Sequence, residues 1–111
     1  RAPDEPQFEA DRGWLYLARA SSATTLDEQA AFLQQAGESY RNALLRSNDP
    51  RLRQECEQRM AQTAGQLAAI ALATQGDRTR TLQLLYTARS IAPQDAPVRQ
   101  EIDQRLQQLG R

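Results

Sequence analysis

Leu26, Ala30, Leu33, Gly37, Tyr40 and Leu44 recur every three or four positions, the spacing that lays side chains along one stripe of an α-helix. Nowhere do apolar and polar residues alternate with period two, so no segment offers the dry and wet faces of a half-buried strand. The chain must therefore bury itself helix against helix. With 40% hydrophobic but only 5% aromatic residues, such a core has to be built from Leu, Ala and Ile. A length of 111 residues supplies one core and no second.

Cap and break residues divide the chain into about five antiparallel helices. Residues 1–7, with two prolines among acidic neighbours, read as a linker, and 8–111 as a single domain. A first helix runs from Phe8 to Ala20, with Phe8, Trp14, Leu15, Leu17 and Ala18 at helical spacing. Thr25 and Glu28 form a T-x-x-E capping box before the second helix. Asp49-Pro50 opens the third, where proline suits the first turn. That helix is the longest, with Leu52, Cys56, Met60, Ala64, Leu67 and Ile70 or Ala71 inward. Its Ala61, Gly65, Ala69 and Ala73 at i+4 invite the close approach of a neighbouring helix. Gly76 suits a left-handed cap and Asp77 a helix start. The fourth helix, Arg78 to Ile91, is expected to bury Leu82, Leu85, Ala88 and Tyr86, and Pro93 ends it. The fifth, from Ala96, puts Val98, Ile102, Leu106 and Leu109 on one face.

Charge and residue usage exclude several function classes. Fourteen basic and fourteen acidic residues are interspersed, which leaves no polyanion-binding surface, so nucleic acid is not an expected partner. Histidine is absent and Cys56 is the only cysteine. This removes His-based metal sites, His-dependent triads and any internal disulfide. No glycine-rich phosphate loop or nucleophile motif is present, and neither catalysis nor a cofactor is expected. The most apolar run, Leu67 to Ala73, is too short to cross a bilayer. Every basic residue is arginine, a bias that points to a GC-rich bacterial genome. A start at Arg1 rather than Met reads as a piece of a longer protein. A cytoplasmic setting is the expectation, with an extracytoplasmic or membrane-tethered one open if an upstream signal or anchor has been removed.

Two helix pairs resemble tetratricopeptide repeats, in which W-x2-L-[G/A] is followed by a small residue, an aromatic or Leu, a second small residue and a closing Pro. Trp14, Leu17 and Ala18 match the first opening, and Ala36, Tyr40 and Ala43 the second helix, with extra residues between the halves and Pro50 late. In the second pair Ala69, Leu72 and Gly76, then Leu85, Ala88 and Pro93, fit the pattern. There Gly65 takes the place of the large opening residue, and Thr81 that of a smaller one. The resemblance spans Trp14 to Pro93, and the fifth helix is similar to the amphipathic helix that closes such arrays. It implies stacked helical hairpins with Trp14 packed inside the first, the alternative being an ordinary helical bundle. It also implies that the first helix of each pair lines a groove for a peptide or protein.

On that first helix Arg12, Leu15, Tyr16 and Arg19 are the candidate partner-binding residues. Trp14, Leu15, Tyr16 and Leu17 cannot all face inward on so short a helix, and Arg can grip a carboxylate with two parallel bonds. The plainer alternative is a solvated face neutralised by Glu9 and Asp11. Cys56, on the inward stripe, reads as an inert core thiol. Glu55–Arg59 and Glu101–Arg105 have the spacing of i,i+4 ion pairs. Arg78 and Arg80 oppose the dipole at the start of the fourth helix, which calls for a nearby carboxylate or an acidic partner. The resulting expectation is a non-catalytic protein–protein interaction module or scaffold in a larger protein. The alternatives are a homo-oligomerisation or spacer domain, and a regulatory appendage of an enzyme whose catalytic domain lies elsewhere.

Overall fold

The computed structural model describes residues 5–110, which form five α-helices: α1 Pro6–Ser21, α2 Leu26–Arg46, α3 Pro50–Ala73, α4 Arg78–Ile91 and α5 Pro97–Leu109. Residues 1–4, the greater part of the expected linker, lie outside the described residues, and α1 begins two residues before Phe8. Prolines open α1, α3 and α5, where a missing N–H costs no helix bond. Thr25, Asp49 and Asp77 cap α2, α3 and α4 by accepting from Glu28 N–H (3.1 Å), Arg51 N–H (3.0 Å) and Arg80 N–H (3.1 Å). The Glu28 carboxylate reaches back to Thr24, accepting from its N–H (3.4 Å) and hydroxyl (3.3 Å). Gly76 is not the left-handed cap expected, since no glycine among the described residues has a positive φ. Instead Thr74 closes α3, its N–H and hydroxyl both donating to the Ala71 carbonyl.

Consecutive helices pack together, and α1 with α3, α3 with α5, and α2 with α4 also touch. The odd-numbered helices thus form one layer and the even-numbered ones the other, within 47 × 31 × 16 Å. That thickness suits two layers of helices some 8–10 Å apart. Ion pairing of Arg80 with Asp27 (2.9 Å) joins the starts of α4 and α2. Arg41 donates to the Ser90 carbonyl near their ends, so the two run parallel. Between the layers lie Leu33, Tyr40, Cys56, Leu67, Leu85, Ile91 and Ile102, all essentially without solvent contact.

Two glycines at the contacts of α2 with its neighbours set how closely the helices approach. A Cβ on Gly13 of α1 would stand 2.8 Å from the Tyr40 ring of α2, and one on Gly37 of α2 would stand 2.6 Å from Ile91 of α4. The first contact overturns the expected interior of α1. To seat Gly13 on Tyr40, α1 turns a face of Ala10, Gly13 and Ala20 toward the core. Trp14 is thereby rotated out to 56% exposure and Leu15 to 54%, so Trp14 does not pack inside the first hairpin. The small-residue row on α3 does not receive a helix either: Ala69 and Ala73 are exposed, and a Cβ on Gly65 would meet only Val98, at 3.7 Å. On α4, Leu84 is buried beside Leu85, Leu82 is half-buried and Tyr86 is exposed, because Thr81, Leu84, Leu85, Ala88 and Ile91 form the inward row.

Arginine closes the helix ends. Arg53 donates to the carbonyls of Leu44 (2.7 Å) and Ser47 (3.0 Å) at the end of α2. Arg41 and Arg99 reach the Ser90 and Ala92 carbonyls at the end of α4, and Arg78 the Leu109 carbonyl at the end of α5. Last-turn carbonyls lack helix partners and carry partial negative charge, so a guanidinium satisfies both needs. Arg78 and Arg80 are thus accounted for by a helix end and a carboxylate within the chain. Neither Glu55–Arg59 nor Glu101–Arg105 forms an ion pair, and Arg59 instead donates to Gln62 Oε1 at 3.1 Å.

Gly37→Ala is expected to destabilise the fold by about 1–3 kcal/mol, as overpacking does, although alanine favours an open helix position by about 1 kcal/mol. Adding Ile91→Val, which removes the nearest clashing methyl, should recover part of the loss in urea denaturation. Equal stability of parent and Gly37→Ala would refute the close approach.

Candidate functional site

Two depressions flank α3 on the odd-numbered layer. Trp14, Leu17, Ala18 and Ser21 of α1 and Arg59, Gln62 and Gln66 of α3 line a groove of about 240 Å³. On the other side, Gly65, Ala68, Ala69 and Leu72 of α3 face Val98, Glu101, Ile102 and Arg105 of α5 across a cleft of about 530 Å³. The rotation of α1 that follows from Gly13 on Tyr40 is what brings Trp14 to the mouth of the first groove. Its rim is amide and guanidinium, from Gln62, Gln66 and Arg59, around an indole that has lost only part of its solvent contact.

The four residues singled out from the sequence do not share one surface. Tyr16 is half-buried and stacks on Phe32 of α2, ring centroids 6.5 Å apart. Arg12 lies over the Phe8 ring at 5.3 Å and 3.7 Å from Glu9 Oε1, so its guanidinium already has a cation–π and an anionic contact. Leu15 and Arg19 are exposed. None of the four lines the groove against α3, whose α1 wall is Trp14, Leu17, Ala18 and Ser21. The resemblance to the repeat pattern places Trp14 inside the first hairpin, at the position of its large opening residue. An Ala-x-x-Gly spacing on the adjacent face, Ala10 with Gly13, is the signal that reverses the assignment once a bulky Tyr40 faces it.

Tyr40 and Cys56, both buried, are held neutral. Burial, assisted by Glu55 and opposed by Arg53, raises the Cys56 thiol to about 11. Burial also raises the Tyr40 phenol to about 12, with Arg59 opposing and Glu55 adding. Among the described residues no group of three or more His, Cys, Asp or Glu side chains could hold a metal. No helix among them is long and apolar enough to cross a membrane. No family model matches the chain, and neither a curated protein nor a solved structure matches it with significance.

Two outcomes follow. The unfolded chain loses the Cys56 and Tyr40 protons near their ordinary values, below the folded ones, so stability is intact at neutral pH and falls as pH rises from about 9 toward 12. Denaturation midpoints measured between pH 7 and 11 check this, and constancy up to pH 11 would contradict it. Trp14 is the only tryptophan, so fluorescence reports it alone. Native emission should be strongly quenched by acrylamide, and Trp14→Ala should cost less than about 1 kcal/mol, against about 3–5 kcal/mol for Tyr40→Ala.

Proposed function

We propose that the chain is a non-catalytic protein-interaction module, a degenerate tetratricopeptide-like stack of helical hairpins that seats a short segment of a partner protein in the groove between α1 and α3. The observation that carries this reading is Trp14, a large side chain held 56% exposed at the mouth of a groove rather than in the core. Tryptophan is enriched among residues that dominate binding energy, because it joins a large apolar area with a donor. A volume of about 240 Å³ accepts one or two side chains, which suits a short peptide better than the broad face of a second copy. Gln62 and Gln66 supply amide donors and acceptors for a peptide backbone. The two-layer alternation of helices favours the repeat-like reading, although Trp14 and Leu72, both matched to the repeat pattern, sit outside the interior.

Selection of a random peptide library on the immobilised chain tests this. Selected peptides should bind the parent and lose about thirtyfold or more on Trp14→Ala, the effect of a 2 kcal/mol hot spot. Arg12→Glu with Arg19→Glu, on the neighbouring face, should leave their affinity within a few-fold. Peptides that bind Trp14→Ala as tightly as the parent would sink the assignment. A concentration-dependent mass in sedimentation equilibrium, abolished by Trp14→Ala, would instead give Leu15 and Trp14 to self-association.

A further inference from the structure

The helix that carries the fewest buried side chains is tied to the rest of the molecule mainly by charge. Of the 13 residues of α5 only Ile102 is buried, with Val98, Leu106 and Leu109 half-covered. The seam with α3 is open along the cleft of about 530 Å³, where Val98 is the sole neighbour within reach of a Cβ on Gly65. Along α4 the attachments are polar. Arg89 Nε meets Asp103 Oδ1 at 2.6 Å with both side chains nearly half exposed, and Arg78 donates to the Leu109 carbonyl. Arg99 donates to the Ala92 carbonyl at 3.1 Å. Its Nε, buried and without a hydrogen bond, stands 3.8 Å from Asp103 Oδ2, which leaves part of the cost of burying that guanidinium uncompensated. The joint to α4 is a short segment bounded by Pro93 and Pro97, with Ala92 already extended.

We infer that α5 is a detachable strap, held by Arg78, Arg89 and Arg99, that undocks as a unit and uncovers the apolar surface of Leu72, Leu85 and Ala68 while α1–α4 stay folded. A helix of this length is unstable alone in water, so undocking releases its amide protons to solvent and can be read directly. Half-exposed ion pairs weaken as salt shortens the screening distance, whereas the apolar contacts between α2, α3 and α4 do not. This inference is independent of the Trp14 groove, which lies on the other side of α3.

Hydrogen exchange measured by mass spectrometry on the whole chain tests it. Amides of α5 should exchange well before those in the middle of α3, and raising sodium chloride from low to molar concentration should speed α5 alone by about two- to fivefold, the range expected for such pairs. Asp103→Asn, a surface change that leaves the helix intact, should speed α5 at low salt and flatten its salt response, with α3 unaffected. Equal protection of α5 and α3, or α5 exchange indifferent to both salt and Asp103→Asn, overturns the inference.

Discussion

The helices α1, α3 and α4 all pack on α2, and what α2 can accept is decided by two points of contact with no room to spare. Tyr40 lies against Gly13 of α1, and Gly37 lies against Ile91 of α4. In each pair one partner has no side chain, so the other fills the space between two backbones. The buried ring of Tyr40 selects the small face of α1, and the Ile91 side chain brings α4 alongside α2 in the same layer. From these two contacts follow the two-layer alternation, the exposure of Trp14 and Leu15, and the opening of the groove between α1 and α3.

Apolar packing of this kind brings helices together but does not finish their ends. The polar ends are completed by hydroxyls and guanidinium groups: Thr74 at α3, and Arg53, Arg41, Arg99 and Arg78 at the ends of α2, α4 and α5. A planar guanidinium offers several donors in fixed directions, which suits two neighbouring carbonyls better than an ammonium does. The arginine-only basic set thus has a structural use that composition alone does not reveal. It also divides the molecule energetically. The α1–α4 unit is held by buried Leu33, Tyr40, Leu67 and Ile91, whereas α5 leans on arginine contacts around a single buried Ile102.

The interaction reading rests on the same geometry. A half-exposed indole over a narrow amide-rimmed groove costs the free protein some apolar hydration, which a bound segment would relieve. Arg12 and Tyr16, by contrast, already have internal partners in Phe8, Glu9 and Phe32. A ligand engaging either would have to displace an existing contact.

Helix number, order and most boundaries were legible in the residues themselves, because caps and prolines act locally: Thr25, Asp49-Pro50 and Asp77 define starts whatever the tertiary context. The core rows of α2 and α3 were legible too, since Ala30, Leu33 and Tyr40, and Leu52 through Leu67, each have one strongly apolar face. The interior face of α1 was not. There two faces compete, one large and one small, and the repeat pattern favours burying Trp14 while the fit to Tyr40 requires Gly13. Such a choice depends on a side chain more than twenty positions away, and only the tertiary structure decided it. The same holds for the row of small residues on α3, which looks like a packing seam but borders an open cleft, where a Cβ on Gly65 would meet only Val98 of α5. Local chemistry determined what the helices are; complementarity of distant side chains decided which way each one turns.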